Sequence, residues 1–84
     1  MNLYEFLANY YSQEVALREW IGKNFDCKPV PPQWLWVEAV YVDEGFVSKA
    51  TDLGYIKYWD QHIKFTAKGR KVAEKELALR ILAK

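Results

Sequence analysis

Apolar residues recur at helical spacing over the first 25 positions, as Leu3, Phe6, Leu7 and Tyr10 and then as Leu17, Trp20, Ile21 and Phe25. Between the two sets the phase passes through Gln13 and Glu14, and Ser12 is available as a cap. The pattern therefore predicts either two helices, 3–10 and 13–24, or one long helix with a weak middle. Gly22 lowers helix propensity near the end, and the run from Asp26 to Pro32 stops the helix. Pro29-Val30-Pro31-Pro32 reads as a stiff, extended connector. From Gln33 to Val42 nearly every side chain is apolar. Pro32 suits a first helical position, and a helix here would form the first half of a helix-turn-helix with Asp43-Glu44-Gly45 as the turn. Val37, Val40, Tyr41 and Val42 favour strand instead; helix is the reading chosen. Glu38, the sole ionisable residue of that run, must face out or find a partner.

A further helix is expected at 46–53, with Phe46, Ala50 and Leu53 inward and Gly54 at the left-handed position that ends a helix. Ser48, Lys49, Thr51 and Asp52 then point outward. Two short runs rich in β-branched and aromatic residues follow, Tyr55 to Trp59 and His62 to Phe65, separated by the polar pair Asp60-Gln61. This is the length of a tight hairpin loop, although Asp-Gln lacks the glycine that a type I′ turn prefers. With Asp60 and Gln61 as the loop, Trp59 lies opposite His62, Tyr58 opposite Ile63, Lys57 opposite Lys64 and Ile56 opposite Phe65. One face, Ile56, Tyr58, Ile63 and Phe65, is assigned to the core; the other, Lys57, Trp59, His62 and Lys64, to solvent or a partner. Thr66 can cap a final helix from Ala67 to the end, whose stripe is Ala73, Leu77 and Ile81 while Val72, Leu79 and Leu82 point elsewhere.

Phe65-Thr66-Ala67-Lys68-Gly69-Arg70 resembles the "Leu-Thr-x-x-Gly-Arg" segment that closes the wing in many small winged helix-turn-helix proteins of bacteria, archaea and their viruses. Phe46 to Ile56 resembles their recognition helix running into the first wing strand, so the likeness covers about residues 46–76. It implies an α+β, mostly α fold over 1–84 as a single domain: a winged helix-turn-helix with a two-stranded hairpin wing and a long C-terminal helix. It also implies that Ser48, Lys49 and Thr51 approach the major groove of DNA, where Asp52 would repel phosphate. Dimers in this family commonly form through terminal helices, which points to a homodimer through Leu77, Leu79, Ile81 and Leu82.

Composition changes this picture little and charge distribution changes it more. The 84 residues are 51% apolar and 17% aromatic, which excludes a disordered chain. The lone Cys27 can form neither an internal disulfide nor a zinc site and reads as a small buried hydrophobe. No apolar run reaches the length of a bilayer span and no signal peptide is evident, so the expected compartment is the cytoplasm. The net charge of +1 conceals two unlike halves: residues 1–45 hold three basic and seven acidic residues, net −4, and residues 46–84 nine basic and four acidic, net +5.

That basic half carries the candidate chemistry. Lys57 facing Lys64 is a like-charge pair that costs up to about 1 kcal/mol unless an anion lies between the two. A phosphate would reverse the sign. Trp59 and His62 could add stacking or a sugar contact, and Lys68, Arg70 and Lys71 lengthen the strip. The plainer reading is that both lysines splay into water and Trp59 covers an apolar edge. Trp34 and Trp36 are expected in the core or an interface. His62 has no companion His or Cys for a metal, and the chain has no glycine-rich phosphate loop, no nucleophile with a nearby His and no paired carboxylates in an evident apolar pocket. The expectation is a non-enzymatic protein without cofactor that binds double-stranded DNA as a homodimer, a transcriptional regulator or a DNA-binding protein of a virus or plasmid. The alternative keeps the winged-helix fold as a protein-protein interaction module built on Trp34, Trp36, Trp59 and the last helix.

Overall fold

The computed structural model describes residues 2–26, 28–37 and 44–82. The expectations for Cys27, Glu38 and Asp43 lie outside them. The first element is one continuous helix, α1 (Leu3–Phe25). Asn2 caps it, its Oδ1 accepting from the Glu5 N–H at 2.9 Å. Asp26, in the left-handed region with φ 49°, ends it. Of the two forms expected, the single long helix is correct, and Ser12 is an exposed interior residue, not a cap. The middle holds because the buried stripe Leu3-Leu7-Tyr11 continues into Glu14 and Arg18, which pair with each other across one turn.

Residues 33–37 are extended rather than helical, and β1 (Leu35–Trp36) is a short strand. Leu35 and Val37 alternate into the core, and the Val37 N–H donates to the Gln61 carbonyl at 2.7 Å. The helix chosen for 33–42 is therefore wrong over its described part. The competing β signal of Val37 prevailed because the outer edge of the hairpin offers this segment a ladder to join. Residues 38–42 lie outside the described part.

The helix α2 (Glu44–Asp52) starts two residues earlier than expected, so Glu44 and Gly45 belong to it and not to a turn. Ala50 is fully buried and Phe46 stacks on Phe6 at 5.9 Å between centroids. Leu53 is more exposed than its assigned inward position, since the helix ends at Asp52 and Gly54, at φ 78°, swings the chain into the hairpin. The hairpin comprises β2 (Ile56–Trp59) and β3 (His62–Phe65), paired in the expected register: Ile56 with Phe65, Lys57 with Lys64, Tyr58 with Ile63 and Trp59 with His62. The two-stranded hairpin does not stand alone. Leu35 pairs with Ile63 and Trp36 with His62, giving a three-stranded antiparallel sheet in the order β1-β3-β2.

The last helix, α3 (Ala67–Leu82), packs antiparallel to α1: Tyr11 meets Glu74, and Glu5 meets Arg80. The core joins Leu3, Phe6, Leu7 and Tyr11 of α1, Leu35, Val37, Ala50, the hairpin residues Ile56, Ile63 and Phe65, and Ala73. Four positions assigned to the core face or to an apolar helical stripe are corrected by this geometry. Tyr58, on the edge strand, is half exposed. Trp20 and Phe25 pack on each other at 5.6 Å in the half of α1 beyond the core and are largely open to water. Ile81 sits level with the first turn of α1, where the core ends, and is 65% exposed. The described residues form an α+β arrangement, mostly helical, with three helices on one face of a small antiparallel sheet and no described helix on the opposite face.

Candidate nucleic-acid interface

The sheet face opposite the helices is built in two rows by strand alternation. Across the strands, one row is Trp36-His62-Trp59, fixed by the pairs Trp36 with His62 and Trp59 with His62. The next is Lys64-Lys57, with Trp34 beside it: the Lys64 ammonium lies over the Trp34 ring, 5.8 Å from its centroid. Trp34, Trp36 and Trp59 are 42%, 56% and 74% exposed. Of the two places expected for Trp34 and Trp36, core or interface, the core is ruled out: the residues that alternate with them, Leu35 and Val37, take the inward positions. His62 Nδ1 lies 2.7 Å from the Asp60 carbonyl, which holds the imidazole at the loop end of the sheet.

The remaining predicted residues divide among three places. Ser48, Lys49 and Thr51 are exposed on α2, with the Thr51 hydroxyl donating to the Val47 carbonyl at 2.7 Å. Lys68 is exposed but engaged: its ammonium donates to the Leu53 carbonyl at 3.0 Å, closing the C-terminal end of α2, and lies 5.4 Å from the centre of the Tyr55 ring. Lys71 is exposed. Arg70 is half buried and close enough to Tyr11 and Glu14 to act on both electrostatically, so it belongs to the seam of α1 and α3 as well as to the basic strip. Of the apolar residues assigned to a dimer contact, Leu77 packs on its own core, whereas Leu79, Ile81 and Leu82 are exposed.

Among the described residues the ion pairs are Arg18 with Glu14, Arg80 with Glu5 and Arg80 with Glu76. All join carboxylates to arginines on α1 and α3. Among the described residues no lysine of α2, the hairpin or the first turn of α3 forms an ion pair with a carboxylate, and Lys64 acts on the buried Glu14 carboxylate only through space.

Comparison with protein-family models, with curated proteins and with solved structures finds no match. The site must be read from its own chemistry.

One polar cluster escaped the sequence reading. Glu14 is fully buried; Arg18 Nε stands 3.2 Å from its Oε1, yet neither carboxylate oxygen has a well-aligned hydrogen-bond donor among the described residues. Burial raises the Glu14 pKa, opposed by Arg18, Arg70, a backbone contact from Gln33 and Lys64. Beside it the Tyr11 hydroxyl donates to Glu74 at 2.7 Å, and its pKa is raised by burial and then by that bond and that charge. The i, i+4 spacing of Glu14 and Arg18 on the line of Leu3, Leu7 and Tyr11 was the available signal. An open cleft of about 520 Å³ lies between the second half of α1 and Lys28–Val30, and none of the predicted site residues lines it. No group of three or more metal-ligating side chains occurs among the described residues, and none of their helices is long and apolar enough to cross a membrane.

Proposed function

We propose that this chain is a small winged helix-turn-helix protein that binds double-stranded DNA without enzymatic activity, as a transcriptional regulator or a viral or plasmid DNA-binding protein would. The observation that carries the reading is the cross-strand pair Lys57 and Lys64, neither of which forms an ion pair with a carboxylate among the described residues. Two ammonium groups held side by side are a liability for folding and an asset for holding phosphate. The order α2, turn, hairpin, capped α3 and the exposed Ser48, Lys49 and Thr51 support the same reading. In it, α2 approaches the groove while Lys57, Lys64, Lys68, Arg70 and Lys71 contribute affinity through the backbone, with Trp59 and His62 beside them. A homodimer through the exposed Leu79, Ile81 and Leu82 would present two such units, and light scattering after gel filtration tests it.

The test is fluorescence anisotropy of a labelled mixed-sequence duplex across a salt titration. The expected result is an affinity that falls steeply with salt, and a double variant Lys57→Ala, Lys64→Ala whose log-log salt slope is smaller by about 2. Absence of binding at low salt would sink the reading. A second reading is favoured by the three exposed tryptophans: a protein-interaction module of the same fold that does not bind DNA. It predicts a negative duplex titration.

A further inference from the structure

On the sheet face opposite the helices, the duplex reading leaves Trp36 unused and gives Trp59 no more than a place beside the phosphate-holding lysines. We infer that this face is a stacking platform for single-stranded nucleic acid, with Trp36 and Trp59 each receiving an unpaired base while Lys57 and Lys64 hold the intervening phosphates. The inference rests on the nucleic-acid reading of the same lysines and adds the class of strand they prefer.

Four observations carry it. The Trp36-His62-Trp59 row is set by backbone pairing on all three strands, so the rings sit on rigid elements and not on loops. Among the described residues neither Trp36 nor Trp59 meets another ring or a cation, and both are more than half exposed, so their faces are available. The two rings stand on the outer strands with β3 between them, two strand spacings or about 10 Å apart. Each therefore serves a separate base. Finally, the next row is Lys64-Lys57, which places positive charge alongside the rings where a strand's backbone would run.

The chemistry selects an unpaired strand over other occupants. Indole offers a broad π face and a single N–H donor with no acceptor, so it reads base edges poorly and base faces well. A duplex keeps those faces closed inside its stack. A neutral sugar would stack on tryptophan too, but a sugar site needs acceptors for hydroxyl groups, and this face presents ammonium groups instead. The two lysines, which form no ion pair among the described residues, match a polyanion.

The experiment compares three labelled probes of one mixed sequence by anisotropy at the same salt: a single-stranded oligodeoxynucleotide, the blunt duplex and the duplex with a single-stranded overhang. The single strand and the overhang probe are expected to bind at least tenfold tighter than the blunt duplex, with quenching of tryptophan fluorescence. Trp36→Ala and Trp59→Ala are each expected to weaken single-strand binding about fivefold or more, and Trp36→Phe to restore most of the Trp36→Ala loss, while Trp36→Ala leaves blunt-duplex affinity within twofold. Both side chains are exposed, and an unchanged melting temperature confirms that the variants fold. A blunt duplex bound as tightly as the single strand, or a Trp36→Ala variant that weakens both probes equally, would overturn the platform and leave duplex binding standing. Failure of every probe to bind would remove both readings together.

Discussion

Gly69 in the first turns of α3 lies directly against the carbonyl of Tyr55, so close that a Cβ on residue 69 would fall within that C=O group. The contact sits at a junction of hydrogen bonds. The Thr66 hydroxyl donates to the Gly54 carbonyl at 2.5 Å and accepts from the Gly69 N–H at 3.1 Å, while the Thr66 N–H donates to Tyr55 O at 3.1 Å and the Tyr55 N–H to Ala50 O at 2.9 Å. The end of α2, the start of β2 and the start of α3 are thereby fixed to one another. This gives a physical reason for Thr and Gly in Phe65-Thr66-Ala67-Lys68-Gly69-Arg70. The threonine caps and bridges, and the glycine permits the approach.

Gly69→Ala should therefore act against its propensity. In an open helix interior the change stabilises by about 1 kcal/mol. Here the added methyl meets backbone that cannot swing aside, and the expected outcome is a loss of about 2 kcal/mol or more. Thermal melting and urea midpoints of the two proteins check the sign. A variant as stable as the parent would mean that the junction shifts freely.

The hairpin loop carries a cost that a two-residue change removes. Asp60 and Gln61 have φ of 46° and 60°, both positive, as a type I′ turn requires. Neither position is glycine, and a left-handed conformation costs an ordinary residue about 1 kcal/mol. Replacing Asp60-Gln61 by Asn-Gly should raise stability by roughly 0.5–1 kcal/mol without changing the register. Denaturant midpoints read the gain, and an unchanged or lower midpoint would argue that this loop is relaxed as it stands.

These turn angles show where the chain was legible. Local chemistry decided the hairpin: alternation on both sides of a two-residue polar pair set the register of Lys57 with Lys64, Thr66 marked the start of α3, and Gly54 marked the end of α2. What failed depended on partners distant in sequence. Leu35 and Trp36 become strand because β3 has a free edge, and β3 lies 28 residues later in the pairing of Leu35 with Ile63 and 26 in that of Trp36 with His62. The same pairing put Trp34 and Trp36, expected in the core or an interface, on the outer face. Glu14 looked like a break in the apolar pattern because a carboxylate is rarely buried, and only its Arg18 partner makes the position tolerable. Ile81 followed the helical stripe faithfully but ran past the end of the core.

Charge reversal at the paired lysines separates stability from binding. Lys57→Glu places a carboxylate opposite Lys64, converting a repulsive cross-strand pair into an attractive one while leaving the Lys64 ammonium over Trp34. The hairpin should gain a few tenths up to about 1 kcal/mol. Nucleic-acid affinity should fall by tenfold or more at low salt, since one phosphate contact becomes a repulsion. Melting temperature and anisotropy measured on the same preparation give the two results. A gain in stability with binding unchanged would place the phosphate surface elsewhere.

The buried carboxyl of Glu14 predicts how stability responds to pH. Its pKa is raised in the folded chain, chiefly by burial, against the opposing charges of Arg18, Arg70 and Lys64 and a backbone contact from Gln33, with the Tyr11–Glu74 hydrogen bond next to it. A raised carboxyl binds its proton more tightly folded than unfolded, where its pKa is about 4.3. Its contribution to stability is thus fully present below that value and is lost as pH rises through the folded pKa. Glu14→Gln keeps the shape and removes the titration. The melting temperature of the parent minus that of the variant should therefore be largest in acid and decline as pH climbs from about 4 toward neutrality, levelling once Glu14 is ionised in the folded chain. Other carboxylates titrate in both proteins and cancel in the difference unless they touch this cluster, and Glu74 is checked by repeating the series in a Tyr11→Phe background. A difference that rises with pH would mean that the pairing with Arg18 outweighs burial and that the Glu14 carboxylate is held in its charged form.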